Sequence, residues 1–351
     1  MDKNNDYRLG EVSIFEVALC LCVIYIHAAS DAVSLGEKSS LFTIAVFALQ
    51  RLVYFAMPGF IFSSGLKMSL KMKREGDLSY WIFIRGRLMK ILPSYFFWVI
   101  VFYLYLVYAR TYFPFELSEL AQYILKGNVA SHFYFIPVLL QFYVIAPFAV
   151  RLAQKTKPAT GIAVSLAVSV ATLWAAKNFS SAIMWDRIFP TYLIFYCAGI
   201  YAGLNIAKLK EFLARYSALL ASACFISACG YIYATSSMFL GIRSFAEIPV
   251  ELAQMAYRMI MIAGLFALSS AVDGVIPSKA RQAATYLHRA NFYVFLCHPL
   301  AMFIAQDNLP YGATMLSRFL ARAASGTIAS FAVCILYLWA KDMIVSSVLK
   351  N

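Results

Sequence analysis

An all-α fold is what this sequence predicts: a polytopic membrane helical bundle of about ten transmembrane helices, with both termini cytoplasmic. Three observations carry that reading. Of the 351 residues, 62% are apolar and only 13% are charged, whereas ordinary soluble domains carry roughly 25% charged residues. The apolar residues fall in runs of about 18 or more, the length that crosses a bilayer as a helix. Lys and Arg gather between those runs, which is how membrane proteins set their orientation. The net charge of +13 therefore reads as topology and as contact with anionic lipid headgroups. Membrane lipids are expected partners and nucleic acid is not.

The spans follow in order. The first, residues 12–29, contains Glu16 and no small-x-small cleavage site follows it, so it reads as a span rather than a cleaved signal. The second, 41–66, is interrupted by Arg51. The third, 91–108, follows the basic stretch Lys67 to Lys90, which is expected to be the longest cytoplasmic loop. Spans at 133–153, 159–177, 189–207, 214–234, 253–273, 286–306 and 315–340 complete the set, with Pro and polar clusters in most of the gaps. With the N-terminus inside, the cytoplasmic segments hold 20 Lys and Arg residues and the outside segments hold 9. Adding or dropping one span in mid-chain would scramble that bias. The whole chain, 1–351, reads as a single membrane-embedded domain without repeats. The 7 Cys residues lie inside apolar runs and form no CxxC pair. They read as small apolar filler.

Ionisable groups at membrane depth are costly and are therefore candidates for function. These are Glu16 and His27 in the first span, Arg51 in the second and His298 in the ninth, with His132 at the start of the fourth. The topology puts Glu16 near the inner face and His27, His132 and His298 in the outer half. His288, at the inner end of span nine, is the exception. Histidine suits acid–base work because its pKa lies near neutrality. The alternative for each is a neutral histidine in an interhelical hydrogen bond. No HxxxH spacing or carboxylate neighbour supports a metal site, and no metal is expected. Glu16 and His27 share a helix face but lie about 16 Å apart along it, too far to touch.

The segments IFEVALCLCVIYIHAAS, FAMPGFIFSSGL, IRGRLMKILPSYFFW, HFYFIPVLLQFYVIAPF and ANFYVFLCHPL, in that order and spacing, resemble the acyltransferase-3 family of bacterial multi-pass membrane acyltransferases. The resemblance spans nearly the whole chain. It implies an O-acyltransferase of the bacterial cytoplasmic membrane that moves a short acyl group, typically acetyl, from acyl-CoA to a carbohydrate hydroxyl of a surface polysaccharide. It implies His27 as the histidine of the family's first-span motif. Position 16, where that motif has a basic residue, carries Glu16, a charge reversal. Arg87 and Lys90, with Arg85 nearby, match the family's paired basic residues and are implied to hold the donor's phosphates. His298 and Glu16 join His27 as catalytic candidates, and His132 and Arg51 are candidates for the acceptor or the oxyanion. A transporter or flippase of polysaccharide or lipid-linked sugar is the alternative of a different class. Matched repeats with broken helices would favour it, and none is evident. A sensor or catalytically inactive relative is the third reading.

Overall fold

The structure, a computed structural model, describes residues 10–76, 79–179 and 184–348. It is 85% helical, with no strand among the described residues. In chain order the helices are α1 (Gly10–Ala28), α2 (Ser30–Leu35), α3 (Leu41–Leu52), α4 (Ala56–Glu75), α5 (Tyr80–Leu104), α6 (Leu117–Lys126), α7 (Phe135–Lys155) and α8 (Pro158–Asn178). They continue as α9 (Leu193–Leu204), α10 (Ile206–Arg215), α11 (Ser217–Phe239), α12 (Glu247–Val275), α13 (Ser278–Asp307), α14 (Met315–Ala324) and α15 (Ser330–Val348). Lys3, Arg8 and Lys350, which enter the charge bias, lie outside the described residues.

Every expected span falls on helix. Among the described residues, 8 helical segments can cross a membrane by length and composition, and up to 9 if the bent pair Phe189–Leu204 and Ile206–Arg215, which meet at 99°, is one span. The remaining expected span lies on α13, 30 residues long. There Asn291, His298, Gln306 and Asp307 dilute the apolar run. Two expectations change. The basic stretch Lys67 to Lys90 is not a long loop: α4 runs on to Glu75 and α5 begins at Tyr80. Lys and Arg are good helix formers, so the charges ride on helical extensions of the spans. The second span is two helices, because Pro58 in the first turn of α4 has no N–H to continue a helix from α3.

The described residues form two compact units. The first is built from Met1–Ala56, Ser217–Phe245 and Ala263–Asn351. At its centre α1 and α13 run parallel, since Glu16 meets His288 and, further along both helices, His27 meets His298. The span order expects both to run outward, in the same direction. Of the apolar stretch containing α1, 56% is buried, against 6% for α11. The helix that carries His27 is thus an inner one, and α11 presents its apolar side chains to lipid. Phe15 meets Phe266 edge to face at 5.6 Å. Gly326, in a π-helical turn between α14 and α15, lies against Met302 and Ile24, leaving no room for a β-carbon.

The second unit is built from Met57–Tyr216 and Ala246–Ile262. In it α4 and α9 cross closely, where small residues let the backbones approach. A β-carbon on Gly199 would strike the Phe62 carbonyl oxygen, and one on Gly65 would strike that of Tyr196. Tyr196 stacks on Phe142 of α7 at 4.3 Å. Tyr103 on α5 accepts a hydrogen bond from the Glu116 amide at 2.7 Å, and Tyr95 donates to the Ile124 carbonyl at 2.7 Å. These bonds fasten the short amphipathic helix α6 alongside α5. Replacing Gly199 with Leu is expected to force α4 and α9 apart. Overpacking of this kind costs ~1–3 kcal/mol or more. Melting of the purified protein in detergent should fall by several degrees, and an unchanged melting temperature would show that the crossing is not tight.

Candidate active site

The site is built where α1 and α13 meet. His27 and His298 face one another with ring centroids 5.3 Å apart and planes at 55°. His298 is fully buried, 0% exposed, while His27 is partly exposed. The residue after His298 explains its orientation. Pro299 has no N–H, so the carbonyl of Phe295, one turn back, loses its helical donor. His298 Nδ1 lies 3.0 Å from that carbonyl oxygen and 3.0 Å from the Val294 carbonyl oxygen. Carbonyl oxygens only accept, so Nδ1 carries the proton. In the neutral ring Nε2 is then the acceptor. A proline in the chain has in this way fixed the tautomer of the histidine beside it.

The end of α1 is held by Arg322 of α14, only 4% exposed. Its Nη2 donates to the His27 carbonyl at 2.7 Å and to Ser30 Oγ at 2.9 Å. Its Nη1 donates to Gln306 Oε1 at 2.6 Å and pairs with Asp31 Oδ1 at 3.2 Å. Gln306 closes the ring by donating to Asp31 Oδ2 at 2.8 Å. The last carbonyls of a helix lack backbone donors and carry the negative end of its dipole, so a guanidinium there is well placed. The carbonyl it grips belongs to the candidate base itself. Because Asp31 and Arg322 neutralise each other, the charge is tolerated at this depth.

At the other end of the same helix pair, His288 Nε2 donates to Glu16 Oε2 at 2.9 Å. Its Nδ1 lies 3.2 Å from Ser13 Oγ. The two side chains of the pair are 6% and 15% exposed for Glu16 and His288. Glu16 thus has a named partner, and the histidine that topology sets apart from the others is that partner.

Arg51 is half-buried, its guanidinium lying over the rings of Phe47 at 4.7 Å and Tyr54 at 4.8 Å. Its Nε has no hydrogen-bond partner among the described residues. The preceding residue, Gln50, donates to the carbonyl of Ile26 at 3.0 Å, which ties α3 to α1 beside His27. Arg51 thus sits on the helix that Gln50 ties to α1, with its own guanidinium on the Phe47 and Tyr54 rings.

The second unit holds the other candidates. His132 is 2% exposed, with its ring 4.1 Å from that of Phe133 and 5.8 Å from that of Phe102. Arg87 lies over Phe83 at 5.4 Å and Tyr143 at 5.1 Å, and Lys71 of α4 approaches the same Phe83 ring at 5.7 Å. Lys90, one turn on from Arg87, shares its helix face, whereas Arg85, two residues before, points elsewhere. Arg85 and Lys90 are exposed. Lys71 and Arg87 thus share the Phe83 ring, and Lys90 lies on the Arg87 face of α5. Among the described residues no group of three or more His, Cys, Asp or Glu side chains is arranged to hold a metal ion.

Sequence reasoning overlooked Arg322, Asp31, Gln306 and the pairing role of His288. Arg322 reads as an outside topology charge in a one-dimensional tally. The usable signal was Asp31 directly after the first span, a carboxylate that needs a cation once buried.

The comparison with protein families gives a match to the acyltransferase-3 family, described as an acyltransferase domain, over residues 13–339. No curated protein and no solved structure matches the chain.

The Glu16–His288 pair generates a test. Glu16→Arg places a second basic group against His288, and breaking a buried pair costs ~3–5 kcal/mol. The yield of folded, detergent-stable protein should drop sharply. The double variant Glu16→Arg with His288→Glu restores opposite charges and should recover most of that loss. A single variant as stable as the parent would show that the pair contributes nothing.

Proposed function

This chain belongs to the acyltransferase-3 family, and on that premise we propose that it moves a short acyl group, acetyl in the simplest case, from acyl-CoA to a carbohydrate hydroxyl. The membership makes it an acyltransferase for groups other than amino-acyl, embedded in the membrane by multiple helices. The donor, the carbohydrate acceptor of a surface polysaccharide and the bacterial cytoplasmic membrane are our reading. The observation that carries it is the histidine pair: an accessible His27 backed by a buried His298 of fixed tautomer.

The chemistry follows from those groups. His27 takes the proton of the acceptor hydroxyl as its oxygen attacks the thioester carbonyl carbon. The new C–O bond forms, the C–S bond breaks, and the imidazolium returns its proton to the departing thiolate. General-base help of this kind is worth ~10²–10⁴ in rate. His298 presents Nε2 as an acceptor that can hold an N–H of His27, so it acts as a positioning residue. Arg322 fixes the backbone from which His27 projects. Arg51, held by two rings rather than by a carboxylate, keeps its guanidinium charge for the oxyanion or for an anionic group of the acceptor. In the second unit, Lys71, Arg87 and Lys90 have the chemistry to hold an anionic, phosphate-bearing group by charge-assisted hydrogen bonds. His132, packed against phenyl rings, is assigned an acceptor-side role. Glu16 is engaged by His288 and lies about 16 Å along the helix from His27, so it supports the helix pair rather than the proton transfer.

The test is direct. Membranes containing the protein are incubated with labelled acetyl-CoA and host glycan, and label is followed into the glycan. Transfer by the parent and its loss by at least ~10²-fold in His27→Ala, at equal membrane expression, are expected. Full activity in His27→Ala would remove it from the reaction.

A further inference from the structure

Asn291 lies on α13 between His288 and His298, on the face that meets α1: it is three residues after the first and seven before the second, spacings that share one side of a helix. It is 5% exposed. Neither Oδ1 nor Nδ2 of its amide has a hydrogen-bond partner among the described residues. Because both atoms are unpaired, flipping the amide changes nothing. Buried polar groups are nearly always hydrogen-bonded, and an exception calls for an explanation. The level of α1 beside it is apolar, with Leu19 0% and Cys20 1% exposed. The helix pair therefore offers one donor and one acceptor, side by side, in an otherwise apolar seam.

The group that satisfies both at once is another amide. We propose that Asn291 is a binding residue for the pantetheine arm of the acyl donor, pairing with the arm's amide more distant from the thioester. This rests on the acyl-CoA reading given above. The axial distance agrees. Asn291 is seven residues from His298, about 10 Å along α13. In an extended pantetheine arm the nitrogen of the second amide is seven bonds from the sulfur, about 9 Å at standard bond lengths. An arm whose thioester reaches the histidine pair thus brings its second amide level with Asn291. The two methylene pairs of that stretch suit the apolar wall, and the arm's nearer amide lies between them. The same geometry gives selectivity: a thioester without an amide at that position leaves Asn291 unpaired and loses affinity.

The experiment is equilibrium binding of labelled acetyl-CoA to the purified full-length protein and to Asn291→Leu, with melting of both proteins in the absence of ligand. Leu is close to Asn in size and removes only the unpaired polar atoms, which is neutral or stabilising when no partner is left behind. The expected result is acetyl-CoA binding about tenfold weaker in Asn291→Leu, with a melting temperature no lower than the parent's. Unchanged affinity would overturn the assignment while leaving the donor reading intact. Weaker binding with a lower melting temperature would assign Asn291 to packing and overturn it as well. A parent protein that binds no acetyl-CoA would overturn the donor reading and this assignment together.

Discussion

A guanidinium buried in a membrane protein must be surrounded by acceptors, and the way Arg322 meets that demand shapes the rest of the first unit. Water cannot supply the acceptors at that depth, and leaving the charge unmatched is prohibitive. The chain supplies Asp31, Gln306, Ser30 and the carbonyl of His27. Those groups come from α1, α2 and α13, so one side chain of α14 sets the mutual positions of the other three helices. The end of α1 is no longer free to fray, and the histidine at that end is held.

The same constraint explains why the most polar of the spanning helices is an inner one. Asn291, His298 and Gln306 give α13 a composition that lipid would reject, and they lie where other helices meet it. Pro299 adds a backbone defect that would ordinarily be unfavourable. Here it frees the Phe295 carbonyl, which accepts from His298 and orders the imidazole. A local violation of helix rules thus becomes the device that fixes a proton on one nitrogen and leaves the other as an acceptor. Local conflicts of this kind concentrate at functional sites.

Much of this was legible before the structure. Long apolar runs and the basic residues between them are one-dimensional signals, so the helices and their order could be read directly. His27 and His298 stood out because ionisable groups inside apolar runs are rare. Their meeting could not be read, since it depends on the register between helices more than 270 residues apart in the chain. His288 looked unrelated to the site for the same reason. Arg322 was hidden by its location near a span end, where a basic residue ordinarily reports orientation alone. The basic stretch before α5 was seen, but treating it as loop lost the helical phase that separates Arg85 from Arg87. Asn291 gave no sequence signal, because one asparagine in a span is unremarkable until its neighbours are known.

The central claim is that His27 and His298 act as one unit, His27 exchanging the proton and His298 orienting it. Single-turnover acyl transfer from labelled acetyl-CoA by purified His298→Phe, beside the parent, tests this most directly. Phenylalanine keeps the ring's bulk and removes both nitrogens. The account requires the rate of transfer to fall by ~10-fold or more, as for loss of a hydrogen bond that orients a general base, while acetyl-CoA affinity stays within a factor of two or so. Transfer at the parent's rate in a folded His298→Phe protein would contradict it.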